Sequence, residues 1–169
     1  MSQFVTNIKN SLKNFSLKKK QPIFTKDDII EWSDTVPFVP PVTGGMVIKV
    51  YDGDTITVAT KIPIKDSPLY RFSVRLNGID CPEKRTKDDN EKEAALLAQQ
   101  RVADLILHKR VTLQDVQLEK YGRILARVYI GETCINDILV SERLALAYDG
   151  GKKKIPANWM TYYKTGSMD

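Results

Sequence analysis

From Met46 onward the apolar positions recur every second residue. Ile56 and Val58 interleave with Thr55 and Thr57. Tyr70, Phe72, Val74 and Leu76 interleave with Arg71, Ser73, Arg75 and Asn77. That period of two predicts strands with one buried and one wet face. Residues 111–118 and 124–130 read as two further strands. Between the third and fourth strands the period lengthens: Ala94, Leu97, Ala98, Val102, Leu105 and Ile106 form one stripe of a helix over 90–108. A second helix is expected over 135–143. Three strands, a helix, two strands and a helix is the layout of a five-stranded OB-type barrel, hence an α+β fold with two or three helices. Such barrels host many activities, so the fold alone selects none.

Ahead of this core the pattern differs. Phe4, Val5, Ile8, Leu12 and Phe15 recur at helical spacing among Lys9, Lys13, Lys18, Lys19 and Lys20, with no acidic residue between them. A basic amphipathic segment of this kind suits an anionic membrane or a nucleic acid, and it equally suits a solubilising tail. Thr25 and Asp28 form a loose capping box, which predicts a short helix over 26–32. The run from Asp34 to Gly45 holds Pro37, Pro40 and Pro41 and reads as an extended linker. The expected division is therefore a basic extension and linker over 1–45, the barrel over 46–150 and a C-terminal tail over 151–169.

Composition narrows the chemistry. The 169 residues suit one domain with an appendage, and the net charge of +5 is compatible with a polyanionic partner. Cys81 and Cys134 stand far apart in no metal-ligand pattern, which predicts free thiols in a reducing compartment. His108 is the sole histidine and sits near a helix end, so histidine-based hydrolysis and multi-histidine zinc sites are set aside. No apolar run approaches the roughly 18 residues of a membrane span. Neither a secretory signal nor the Met-Gly start of myristoylation is visible. The expectation is an intracellular chain, with virion-associated or membrane-peripheral placement as its narrower forms.

Three short constellations carry candidate chemistry. Asp52-Gly-Asp54-Thr joins two strands and by itself reads as a hairpin turn. Gly78-Ile-Asp80-Cys-Pro-Glu83 follows the alternating strand and by itself reads as a solvated strand end. Lys120-Tyr-Gly-Arg123 by itself reads as a turn with flanking charges. Together they offer Asp54, Asp80 and Glu83 at one barrel rim, and two such carboxylates suit a hard, oxygen-seeking cation such as calcium. Arg75 and Arg123 add guanidinium forks that match phosphate oxygens. A Lewis acid, a base for water and cations for growing negative charge are what phosphodiester displacement requires.

The runs Val50-Tyr-Asp-Gly-Asp-Thr, Arg75-Leu-Asn-Gly-Ile-Asp-Cys-Pro-Glu83 and Lys120-Tyr-Gly-Arg-Ile-Leu-Ala-Arg-Val-Tyr129, continued through Asn136, Leu139, Leu144-Ala145 and Tyr148, resemble the staphylococcal nuclease family in order and spacing. The resemblance implies a calcium-dependent endonuclease acting on DNA, RNA or both and leaving 3′-phosphorylated ends. It implies calcium held by the Asp54 and Asp80 carboxylates and the Cys81 backbone carbonyl, with Asp52 supporting the metal's water shell. Glu83 would orient or deprotonate the attacking water, and Arg75 and Arg123 would clamp the phosphate. Lys120, Tyr121 and Tyr148 would line the nucleotide groove. Relatives that keep the barrel without these acids and arginines serve as scaffolds or RNA-binding platforms, and the complete set here favours the enzyme over that alternative. Three features depart from the family: Cys81 stands where threonine is common, the loop over 84–90 is shorter than in the secreted members, and the tail after Tyr148 lacks their long final helix. The stretch over 78–87 looks more like the intracellular and large-DNA-virus versions.

Overall fold

A computed structural model describes residues 28–169. The basic segment over 1–20 and the first residues of the helix expected over 26–32 lie outside the described residues. Two compact units divide at Val36 and Pro37. In the described part of the first, Asp28 to Glu31 form no helix, and a single 3-10 turn covers Trp32–Asp34 instead. Glu31 is extended and donates its amide to the Asp34 carboxylate at 2.9 Å. Thr35 is already extended, at φ −120° and ψ 154°, so one turn is all that forms.

The second unit is a barrel with three helices. Its strands are β1 (Gly44–Asp52), β2 (Thr55–Thr60), β3 (Tyr70–Leu76), β4 (Ile79–Asp80), β5 (Arg110–Leu118), β6 (Ile124–Ile130), β7 (Thr133–Cys134) and β8 (Leu146–Ala147). The helices are α1 (Asp89–Ile106), α2 (Ile135–Ser141) and α3 (Trp159–Thr165). The sheet runs β3-β2-β1-β5-β6-β7 and closes where Val74, Leu76 and their neighbours pair in parallel with the start of β6. Closure leaves the five long strands with no free edge. The expected OB barrel is therefore the observed one.

Alternation builds the core. Val74 and Leu76 on β3, Ile56 and Val58 on β2, and Ile124, Ala126 and Val128 on β6 are fully buried or nearly so. In β1 the register shifts between Val47 and Lys49 and again between Val50 and Asp52, so Val47 and Val50 point inward three residues apart. Bulges of this kind bend a strand around a small barrel. Val42 is also buried, so the core draws on the end of the linker as well as the strands.

Helix α1 begins where the Asp88 side chain accepts from the Asn90 amide at 2.9 Å, an N-cap that satisfies one orphan donor. Its buried stripe is Ala94, Ala95, Ala98, Val102 and Ile106. Leu97, expected inside, is exposed, and the residue that meets the turn after β1 is the buried Ala98. A Cβ added to Gly53 would stand 2.7 Å from Ala98 Cβ and 2.8 Å from Cys81 Sγ. That approach leaves glycine as the residue that fits between the two aspartates.

Helix α2 carries Asn136, which is fully buried. Its Oδ1 accepts from the Val128 amide at 3.0 Å and its Nδ2 donates to the Asn77 carbonyl at 2.7 Å. It thus ties β6 to the link between β3 and β4. Asn136→Leu is expected to orphan the buried Val128 amide and the half-buried Asn77 carbonyl and to destabilise by about 1–3 kcal/mol. Urea unfolding measures this, and an unchanged midpoint would assign the asparagine no structural role.

The C-terminal tail is built into the same unit. Asn158 caps α3 by accepting from the Thr161 amide at 2.9 Å, and Trp159 and Met160 bury against Ala94 of α1. Tyr162 and Tyr163 pack there as well. The sequence predicts a tail without a long final helix over 151–169; the structure places a seven-residue helix, α3, in it. No helix of the described residues is long and apolar enough to cross a membrane.

Candidate active site

The turn Asp52-Gly53-Asp54 holds itself: Asp52 Oδ1 accepts from the Asp54 amide at 3.3 Å. The Leu76 amide then donates to the Asp54 carbonyl at 2.8 Å, fixing that turn beside the end of β3. Asp54 and Asp80 are both buried. Between them lies Arg75, whose two terminal nitrogens stand 2.6 Å from Asp54 Oδ2 and 3.0 Å from Asp80 Oδ1. Arg75 is on the outward face of β3, as its alternation requires, and that face looks into the cleft.

Asp80 owes its position to β4 pairing with β8, Ile79 opposite Ala147 and Asp80 opposite Leu146. The same pairing brings Tyr148, whose amide donates to the Gly78 carbonyl at 2.9 Å, over the site. Glu83 follows two residues beyond the buried Cys81, exposed, with its amide donating to Glu91 at 3.1 Å. Arg123 leaves the β5–β6 turn and meets Glu119 in a two-pronged contact, Nε to Oε2 at 2.6 Å and Nη2 to Oε1 at 2.9 Å. The Gly122 amide donates to the Glu119 carbonyl and the Glu119 amide to the Arg123 carbonyl, both at 2.8 Å, so the turn itself aims the guanidinium.

These elements enclose a cleft of about 700 Å³. Asp52, Asp54, Arg75, Cys81, Glu83, Lys120, Tyr121, Arg123 and Tyr148 all line it, and Asp80 joins them through its contact with Arg75. Every residue expected at the site from the sequence thus converges on one place. Lys120 Nζ sits 4.9 Å from the centre of the Tyr121 ring, an aromatic and a cation side by side at the rim.

The cleft also holds residues that sequence reasoning missed. Lys153 Nζ lies 2.9 Å from Asp80 Oδ1 and 3.6 Å from Glu83 Oε1. Glu119 is the partner of Arg123. Lys84 donates to the Tyr51 carbonyl and covers the Tyr51 ring, while Arg85 reaches the Tyr51 hydroxyl at 3.3 Å. The signal for Lys153 was the run Lys152-Lys-Lys154, a charge cluster with no motif around it.

Charge sets the character of the floor. Burial raises Asp54 from its ordinary 3.8 to about 7, with Arg75 opposing and Asp52 reinforcing the rise. Burial, and then the neighbouring Asp54, Asp52 and Asp80, push the Cys81 thiol well up, so it stays protonated and is no nucleophile. The bond from Arg123 holds Glu119 below its usual range, and Glu119 in turn raises Arg123. Burial works against a charged Lys153, but the hydrogen bond to Asp80 and the attraction of Asp80 and Glu83 outweigh it and keep the ammonium charged.

Among the described residues no three His, Cys, Asp or Glu side chains form a ready-made metal cage. Asp54 and Asp80 nevertheless offer buried, hard oxygen donors, and burial makes charge on Asp54 costly unless a cation compensates it. That donor set fits a hard divalent cation that completes its shell with backbone carbonyls, water or substrate oxygens.

The sequence model of the family described as staphylococcal nuclease homologue matches residues 73–162. The chain is 33% identical over 129 residues to a protein named micrococcal nuclease from Shigella flexneri, covering 71% of this chain and 67% of that one. It is 34% identical over 102 residues to an uncharacterized endonuclease of Haemophilus influenzae, covering 60% of this chain and 51% of that one. It is 32% identical over 103 residues to the thermonuclease of Staphylococcus hyicus, covering 60% of this chain and 57% of that one. The chain therefore spans between about half and two thirds of the length of these relatives.

Proposed function

Because this chain belongs to the staphylococcal nuclease family, we propose that it is a calcium-dependent endonuclease hydrolysing phosphodiester bonds of DNA, RNA or both. One observation carries the reading: Arg75 bridges two buried carboxylates at the floor of a cleft whose rim holds Glu83, Arg123 and a lysine–tyrosine pair. Acids below and cations above suit a substrate that is itself an anion and becomes more negative as it reacts. The relatives' names support a nucleic-acid substrate.

Asp54, Asp80 and the Cys81 carbonyl would hold the calcium, which would supply Lewis-acid charge at the reacting phosphate. The chain's own residues do the rest. Glu83, exposed to solvent at the cleft wall, takes a proton from water as the water oxygen bonds to phosphorus. The bond from phosphorus to the 5′ oxygen breaks, the 5′ oxygen takes up a proton from solvent, and the phosphate stays on the 3′ side. Arg75 and Arg123 hold the non-bridging oxygens as their charge grows. Lys120, Tyr121 and Tyr148 seat the flanking nucleotide, a base against a ring and a phosphate against the ammonium.

The test is cleavage of single-stranded DNA, duplex DNA and RNA with calcium present, followed by analysis of the product ends. Cleavage to 3′-phosphorylated products is expected, and inactivity on all three would leave a binding module.

The Asp54 carboxyl adds a pH dependence. Calcium takes the ionised form, so protons compete with it below about pH 7, the level to which burial raises this group. Affinity is expected to fall about tenfold for each pH unit below that point. In the metal-free protein the sign is the usual one for a raised acid: stability is fully present below the unfolded value near 3.8 and is lost as pH climbs toward 7. Calorimetric calcium binding at about pH 6 and about pH 8.5 checks the linkage. Equal affinity at both would detach Asp54 from the metal.

A further inference from the structure

Lys153 occupies the acid floor without belonging to any of the motifs that predicted the site. Its ammonium contacts Asp80 and Glu83, one an expected calcium ligand and the other the expected base. The loop that brings it in is pinned close by. Tyr148 donates its hydroxyl to the Gly151 carbonyl at 3.0 Å, Gly151 donates its amide to Asp149 at 2.9 Å, and Gly150 turns the chain in the left-handed region at φ 91°. Downstream, Pro156 is buried and α3 is fixed against α1. The backbone at Lys153 is therefore held near the cleft, while its four-carbon stem lets the ammonium travel several ångströms.

A divalent cation drawn by Asp54 and Asp80 would face this ammonium across a shared carboxylate. Like charges at such distances repel strongly where solvent is partly excluded. The ammonium must give up Asp80; Glu83 stays 3.6 Å away, and a bound substrate adds phosphates to the anions within reach of the stem. We propose that Lys153 is a tethered stand-in for the metal: it holds Asp80 and Glu83 in the metal-free protein, is displaced by calcium, and then contacts the nucleic-acid backbone as a further substrate-positioning residue. The inference rests on the calcium-dependent reading above.

Two consequences follow, and they have opposite signs. Without nucleic acid, Lys153 competes with calcium, so Lys153→Met should bind calcium more tightly, on the order of tenfold. With calcium bound, Lys153 contributes to nucleic-acid affinity, so the same variant should bind a single-stranded phosphorothioate oligonucleotide more weakly, again on the order of tenfold. Lys152→Met removes the same charge from the neighbouring position, which makes no contact with the acids, and corrects for net charge. Lys153→Arg keeps a cation and should behave like the wild type in both measurements.

The experiment is calorimetric calcium titration of the four proteins, then oligonucleotide anisotropy in saturating calcium. Tighter calcium and weaker oligonucleotide binding in Lys153→Met alone is the expected result. Equal calcium affinity in Lys153→Met and Lys152→Met overturns the stand-in role, and equal oligonucleotide affinity overturns the substrate contact. Absence of calcium uptake by all four proteins overturns the metal reading itself, and this inference falls with it.

Discussion

Excess chelator is expected to abolish cleavage by this protein and to leave its barrel folded. The two halves of that expectation have separate causes. Folding rests on the apolar interior of β1, β2, β3, β5 and β6 and on α1 laid across it, none of which involves the acids. The acids themselves are held without metal, because Arg75 bridges Asp54 and Asp80 and Lys153 meets Asp80 from the other side. Catalysis has no such substitute. A single oxyanion donor is commonly worth about 100- to 1000-fold, and a divalent ion at developing charge is worth at least as much. Turnover should therefore fall at least about 1000-fold, to background in most assays. Restoring calcium should restore activity, whereas a soft metal such as zinc finds carboxylates here but no histidine or reactive thiolate. Fluorogenic oligonucleotide cleavage with circular dichroism on the same samples measures both halves. Undiminished cutting in chelator sinks the metal mechanism, and unfolding in chelator would show the ion to be structural.

How much of this was legible in the sequence depended on the range of the signal. The alternation of β3 and β6 was legible because each strand has one face in the core and one outside it, so Val74 and Arg75 sort to opposite sides by position alone. β1 was harder, since its bulges place Val47 and Val50 on one side three residues apart and break the period. In α1 the stripe was found but Leu97 was placed inside. The buried stripe is Ala94, Ala95, Ala98, Val102 and Ile106, so Ala95 takes the place in it that was given to Leu97. Helix α3 was passed over because seven residues give no measurable period, although Asn158 before Trp159 was a capping signal. The acids and arginines were found by motif, and their convergence follows from barrel closure. Their immediate partners were not found. Glu119 and Lys153 reach Arg123 and Asp80 through a tight turn and a two-residue strand pairing, contacts too short or too distant in sequence to leave a pattern.

Arg123→Ala and Glu83→Gln are each expected to lower turnover at least about 100-fold while leaving melting temperature and calcium affinity little changed. The geometry makes the two tests independent of folding. Glu83 is exposed and its side chain meets Lys153 alone among the described residues. Arg123 is bonded to Glu119 within its own turn, and the backbone bonds between residues 119, 122 and 123 persist when the guanidinium is removed. In the reaction the phosphorus becomes five-coordinate and its oxygens gain charge. A guanidinium already aimed by Glu119 matches that state better than the ground state, and interactions stronger in the transition state raise the catalytic rate itself. In the proposed mechanism Glu83 acts on the water, and a positioned base contributes typically ~100- to 10000-fold. Both losses should therefore appear in turnover more than in substrate affinity. The double variant should fall short of the product of the single effects, because groups that serve one transition state are not additive. Single-turnover cleavage, with calcium calorimetry and thermal melting on the same preparations, decides the matter. Wild-type turnover in either single variant removes that residue from the mechanism, full multiplicative loss in the double variant assigns the two to separate steps, and loss of folding in either returns it to a structural role.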